Sequence, residues 1–170
     1  MANNYIDVTE KWLKEAKPKK GYIKFLSYSI TQDGERFDSS NSILDINYDE
    51  DYYIGNWFRN TIWGNTRIQP AIVFPHKKRS ADLRLFGKCP LIDEQTIEIK
   101  IIGSKRRDGL IKRFKQAKNQ SSSVLIDVTD YPFPLIVVEE EVKKYYLSHD
   151  WVKVIIVKKE NDLLFVWEKK

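Results

Sequence analysis

Cysteine and histidine are nearly absent from this chain. The single cysteine, Cys89, excludes an internal disulfide framework and a thiolate-based zinc site. The two histidines, His76 and His149, are too few for a histidine-rich metal centre. No apolar run reaches the ~18 residues that a membrane-spanning helix needs. The opening segment MANNYIDVTEKW has no apolar h-region, so no classical signal peptide is expected. These absences leave a soluble domain without a membrane partner, cytoplasmic by default, as the expectation.

What is present is an ordinary globular balance. Of 170 residues, 42% are hydrophobic and 31% charged, which argues against wholesale disorder. Five Trp, nine Tyr and eight Phe can supply a core. The length favours one domain, or one domain with an appended arm. The breaker cluster Lys17-Pro18-Lys19-Lys20-Gly21 and the turn signal Asp33-Gly34 place such an arm at 1–45, with a small β-hairpin, ahead of a domain over 46–170.

The net charge of +5 is unevenly spread. Residues 76–120 hold 13 basic and five acidic residues, a net +8, and the rest of the chain carries −3. A middle this basic is the electrostatic footprint of a polyanion partner. A solvated surface balanced by acidic flanks would look the same.

Periodicity predicts an α/β (α+β) domain with a mixed sheet. Asp49 to about Trp63 reads as a helix with Tyr53, Ile54, Trp57, Phe58 and Ile62 inward. Strands follow at Ile68–Phe74, Ala81–Phe86 and Thr96–Ile102. A helix over 109–119 turns Leu110, Ile111, Phe114 and Ala117 inward, and a fourth strand spans Ser123–Thr129. A helix over 135–147 and two strands, Val152–Lys158 and Leu163–Glu168, complete the order. Residues 1–20 read as a helical or irregular lead.

The informative pattern is Asp82 followed by Glu98-Ile99-Lys100. Glu98 and Lys100 stand two apart on one strand, so both leave the same face. If the strands of Asp82 and Glu98 pair, two carboxylates can converge there. Carboxylates are the oxygen ligands of a hard divalent cation, and the Ile99 carbonyl is a further candidate. A lysine beside such an ion can orient water and offset charge on a phosphoryl transition state. The acids Asp49-Glu50-Asp51 open the preceding helix and offer a third carboxylate from Glu50 or Asp51, although acids also suit a helix N-terminus. A plain amphipathic strand with solvent-facing Glu98 and Lys100 accounts for the same residues.

Asp82…Glu98-Ile99-Lys100, in that order of elements, resembles the PD-(D/E)xK nuclease superfamily with its restriction-endonuclease-like core. Asp7–Leu13, Ile43-Leu44-Asp45, Asn56-Trp57-Phe58, Ser80–Gly87 and Ala117–Gln120 resemble one branch more closely. It is the CdiA C-terminal tRNase domain of contact-dependent inhibition, also found at the end of phage minor head proteins. The resemblance implies a core of helix, three strands, helix and strand. It implies a metal-dependent endonuclease with Asp82 and Glu98 as metal ligands, Lys100 as the catalytic lysine and the first-helix acid at Glu50 or Asp51. It further implies Mg2+, with Mn2+ or Zn2+ as alternatives, and RNA, tRNA above all, before DNA. A toxin or phage setting, delivery into a target-cell cytoplasm and an immunity protein as partner belong to the same implication. Three positions depart from the pattern. Arg79-Ser80-Ala81-Asp82 lacks the proline, and Tyr53 and Gly55 stand where Glu and Ala are usual. A degenerate nucleic-acid- or protein-binding module of the same fold is the alternative they raise.

The basic residues nearest the motif are the candidates for phosphate contact. They are Lys77, Lys78 and Arg79 before Asp82, and Lys105, Arg106, Arg107, Lys112, Arg113 and Lys115 after Lys100, with Gln120 at the end of the following helix. His76 and Cys89 read as loop residues. His149-Asp150 lacks an accompanying nucleophile motif and reads as a turn.

Overall fold

A computed structural model describes residues 5–18, 43–44, 49–69, 72–74, 81–92 and 95–170. The Asp33-Gly34 turn signal and the 45/46 boundary lie outside them. In chain order the elements are β1 (Tyr5–Asp7), α1 (Thr9–Glu15), β2 (Ile43–Leu44), α2 (Asp49–Thr61), β3 (Thr66–Ile68), β4 (Ile72–Phe74), β5 (Leu83–Leu85), β6 (Thr96–Ile101), α3 (Gly109–Ala117), β7 (Ser123–Asp127), α4 (Leu135–Ser148), β8 (Val154–Lys159) and β9 (Asp162–Lys169). Among the described residues this is a mixed α/β chain. Seven strands are hydrogen-bonded in the order β1-β9-β8-β7-β6-β5-β3, and β2 pairs with β4. Two compact units divide the chain: Met1–Lys11 with Glu98–Lys170, and Trp12–Ile97.

In the first unit β6, β7 and β8 run parallel, with Glu98 opposite Val124 and Ser123 opposite Val154. Parallel neighbours need crossovers, and α3 and α4 supply them. Both helices bury their apolar stripes on one sheet face. Leu110, Phe114 and Ala117 of α3 and Val138, Val142, Tyr145 and Tyr146 of α4 join Val124, Ile126, Ile155 and Val157 in one cluster. Each full burial of a side chain this size contributes about 2 kcal/mol. That outweighs the weak helix propensity of Val137-Val138. Helix α3 ends at Ala117 because the Lys118 backbone turns extended, with ψ of 131°, and Asn119 then takes a left-handed φ of 79°, a conformation asparagine tolerates. Gln120 therefore lies past the helix rather than at its end, and its N–H donates to the Ala117 carbonyl at 3.0 Å.

The first residues are sheet as well as helix, unlike the lead expected from sequence. β1 pairs antiparallel with β9, Tyr5 opposite Lys169 and Asp7 opposite Trp167. The strand was too short for alternation to reveal. The tripeptide Asp-Val-Thr occurs at 7–9 and again at 127–129, and it makes the same turn twice. In each, the aspartate Oδ1 accepts the N–H and the hydroxyl of the threonine two residues on. Each threonine oxygen then accepts a backbone N–H, from Val166 at Thr9 and from Glu160 at Thr129.

In the second unit β3 pairs antiparallel with β5, and β5 with the first two residues of β6. The expected single strand over Ile68–Phe74 is two strands with different partners: β3 lies against β5, and β4 against β2. Pro70 between them has no N–H to give a ladder, so one continuous strand is disfavoured. Helix α2 buries Ile54, Trp57, Phe58 and Ile62, but Tyr53 is 74% exposed rather than inward. Its place near the helix start, one residue before Ile54, turns it off the apolar stripe. A Cβ at Gly55 would stand 2.6 Å from Ile68 Cγ1, so glycine permits this close helix-to-strand packing.

Candidate functional site

The polar pair of the motif sits inside the sheet. Glu98 is fully buried on β6, flanked in sequence by the buried Ile97 and Ile99. The solvent-facing glutamate of a plain amphipathic strand is thereby excluded. The Lys100 ammonium is ion-paired with the Glu98 carboxylate. A carboxylate removed from water is costly unless paired, so the lysine two residues on accounts for burial in the charged form. The β6–β7 register sets Glu98 opposite Val124, Ile99 opposite Leu125 and Lys100 opposite Ile126. Glu98 and Lys100 thus share the face on which Val124 and Ile126 meet α3 and α4.

Asp82 is half-buried and stands immediately before β5 in the second unit. Its backbone carbonyl accepts the Gln69 N–H at 2.7 Å, and the Gln69 amide donates to the Ala81 carbonyl at 3.0 Å. Gln69 thus fixes the backbone that leads into Asp82, and nothing in the sequence pattern singled it out. The β5–β6 pairing on which the motif reading depended is present and antiparallel, with Leu83 opposite Ile97 and Arg84 opposite Thr96. Two further cations on this ladder carry no signal in the sequence. Arg67 and Arg84 are register partners, and each guanidinium lies just over 5 Å from the Phe86 ring centroid. Arg67 is buried.

Glu50 and Asp51 occupy the first turn of α2, as expected from the acidic run. Lys77, Lys78, Arg79 and His76 lie outside the described residues. His149 follows α4. Its ring stacks on Tyr145 at 3.9 Å, and Nδ1 lies 2.9 Å from the Tyr145 carbonyl oxygen, so it belongs to the helix terminus.

The basic residues after the motif separate along the sheet. Lys105, Arg106 and Arg107 lie on the loop leaving β6 at its carboxyl end, whereas Glu98 stands three residues before that end, about 10 Å back along the strand. Helix α3 then runs back, and its last turn and Gln120 return toward Ser123, one residue from the level of Glu98. Lys112, Arg113 and Lys115 are exposed along it. Asp108 receives Lys112 Nζ at 2.9 Å and Arg106 Nε at 3.3 Å. The Lys112 hydrogen bond, with the charges of Arg106 and Lys112, holds its carboxyl below the usual range. Arg107 pairs with Glu141 of α4 at 3.4 Å.

A second buried ion pair went unpredicted. Lys158 Nζ on β8 meets Asp127 Oδ2 at the end of β7, at 2.8 Å, and both residues are buried. In sequence, Asp127 and Lys158 look like ordinary ends of apolar strands.

Among family models, curated proteins and solved structures, nothing matches this chain.

A carboxylate such as that of Glu98 suits Mg2+ or Mn2+ better than Zn2+. Among the described residues no three of His, Cys, Asp or Glu gather into one cluster.

Proposed function

We propose that the chain is a metal-dependent nuclease that hydrolyses phosphodiester bonds, with RNA preferred to DNA. The observation that carries this reading is Glu98, a carboxylate fully buried on a central strand with Lys100 as its ion-pair partner. A buried ion pair is weak evidence for stability, so function is the better account of its presence on an otherwise isoleucine-rich strand. The antiparallel β5–β6 ladder, the parallel β6–α3–β7 crossover and the basic residues of α3 support it further. The PD-(D/E)xK resemblance implies three strands between the two helices, whereas among the described residues four, β3 to β6, lie between α2 and α3.

In this mechanism Glu98 would be a carboxylate ligand of a divalent cation. When bound, the cation supplies charge neutralisation on the phosphate and a more acidic water. Lys100 offsets the charge of the Glu98 carboxylate within the sheet. The Lys100 ammonium would stabilise charge that develops on a phosphate oxygen. Lys115 on the last turn of α3 and Lys118 just past its end, both exposed, attract the phosphate backbone toward the level of Glu98.

The experiment is cleavage of labelled RNA, tRNA included, and of DNA by the wild type, Glu98→Gln and Lys100→Ala, in Mg2+ and in EDTA. Product formed by the wild type only in Mg2+, and lost in both variants, is the expected result. Undiminished cleavage by either variant would falsify the assignment of the residues. Salt-dependent binding with no product under any condition would favour the second reading, a nucleic-acid-binding module that the missing proline before Asp82 motivates.

A further inference from the structure

Because β6, β7 and β8 are parallel, the connections after them leave one edge of the sheet. In parallel α/β sheets that carboxyl edge is where ligands gather. Two loops meet there. The loop from β6 to α3 carries Lys105, Arg106 and Arg107. The loop from β7 to α4 carries Tyr131-Pro132-Phe133-Pro134. They are tied together, since the Tyr131 hydroxyl donates to the Arg107 carbonyl at 2.9 Å. The Arg107–Glu141 pair fastens the same loop to α4.

The side chains at this edge differ in role. Tyr131 is buried, and its ring lies 4.8 Å from that of Phe133. Phe133 is only partly buried, between two exposed prolines that restrict its backbone. Lys105 is exposed, and the Arg106 side chain is 77% exposed. Leu135 and Ile136, next along, are exposed at 49% and 61%. Four cations, Lys105, Arg106, Arg107 and Lys112, stand with three carboxylates, Asp108, Asp130 and Glu141, so these two loops and the helix starts beside them keep a small positive balance.

We propose that this edge binds single-stranded nucleic acid at a site separate from Glu98 and Lys100. Lys105 and Arg106 contact successive phosphates, and the Phe133 ring stacks on an unpaired base. Tyr131 and Arg107 are positioning residues that hold the two loops in register. A positively charged track with an aromatic platform is the combination that captures single strands without reading sequence. Duplex offers no free base face, so the site favours single strands. The proposal deepens the nuclease reading by naming a substrate class and a second anchoring point, but it stands or falls on binding alone.

The test uses the full chain carrying Glu98→Gln, in EDTA, so that cleavage plays no part. A labelled mixed-sequence single strand, its duplex and vesicles of acidic phospholipid are the three probes, read by anisotropy or co-sedimentation. Phe133→Leu keeps an apolar side chain against Tyr131 and removes the stacking ring. The expected result is at least a fivefold loss of single-strand affinity in Phe133→Leu. Lys105→Ala with Arg106→Ala should flatten the dependence of log affinity on log salt by between 1 and 2 in slope, about 0.7 for each phosphate no longer neutralised. Unchanged affinity in both variants would overturn the proposal. Equal affinity for duplex, or binding to vesicles and not to oligonucleotides, would overturn it too. Unaltered thermal melting of the variants separates loss of the site from loss of the fold. A wild type that cleaves nothing but binds as described would reject the nuclease and retain the site.

Discussion

The first unit contains two buried ion pairs, and they are built differently. Asp127 and Lys158 join two neighbouring strands across 31 residues of sequence. Asp127 also accepts two hydrogen bonds from Thr129, whose oxygen accepts the Glu160 N–H. That pair is a clasp among β7, the loop after it and the β8–β9 turn. Glu98 and Lys100 are two residues apart on one strand, so their pairing closes no long loop. One pair ties the fold together. The other places a charged carboxylate and an ammonium together on a sheet, and adds little connectivity in return. Two buried ion pairs of similar appearance thus have separate reasons to exist, and the difference can be tested.

The largest effect should fall on activity. Glu98→Gln is expected to reduce cleavage below detection with a melting temperature near that of the wild type, and Lys100→Ala to reduce cleavage by about a hundredfold or more while also lowering stability, because it leaves Glu98 buried without its counter-charge. A large loss of stability in Glu98→Gln with proportional loss of activity would mean that this pair too is a clasp. The next largest effect should fall on stability. Asp127→Ala strips Lys158 of a buried counter-charge and Thr129 of its acceptor, and should cost about 3–5 kcal/mol in denaturant unfolding. Lys158→Met leaves Asp127 its two Thr129 hydrogen bonds and should cost distinctly less. Equal costs would break the account of the clasp.

A smaller effect is expected at the loop after the local pair. A Cβ on Gly109 would lie 2.4 Å from Ser104 Cβ, so Gly109→Ala must push the basic loop away from the start of α3. A cost of about 1–3 kcal/mol is expected, read from chemical denaturation. The smallest effect concerns the helix that covers both parallel strands of the clasp. Burial raises the phenol ionisation of Tyr131, Tyr145 and Tyr146 above its ordinary value. For an acid whose pKa is raised by folding, the contribution to stability is complete below the unfolded value, about pH 10. It is lost as pH climbs through the folded values. Alkaline titration should therefore show the tyrosinate absorbance of these three, out of nine Tyr, appearing late and together with unfolding. Full tyrosinate absorbance reached without unfolding would contradict the packing of these rings.

How much of this was legible in the sequence depends on length and on partner distance. Alternation over Thr96–Ile101 and the 3.6-residue spacing of Leu110, Phe114 and Ala117 are strong signals, and the elements lie where they predict. Three-residue strands such as β1 and β3 carry too few positions to show a period. Their pairing is set by residues far along the chain. The split of β3 from β4 was readable, because Pro70 is in the sequence and a proline cannot sit inside a ladder. The burial of Glu98 was not readable, since alternation of Ile and charge fits a solvated face equally well. Nor was the Asp127–Lys158 clasp, because no local pattern announces a contact between strands joined by a whole helix.

The pairing of β1 with β9 bears on the order of events during synthesis. Thr9 accepts a hydrogen bond from an N–H that stands 157 residues later. Residues 12–97 must emerge first, and then the remainder of the first unit, before Tyr5–Asp7 can find a partner. The second unit can fold while the ribosome is still working, whereas the first cannot close until its last strand appears. Contacts so distant in sequence slow folding and prolong the exposure of unpaired edges. Until β9 emerges the nascent chain therefore carries an open sheet edge at β8, while β1, made long before, waits for the partner it will cover.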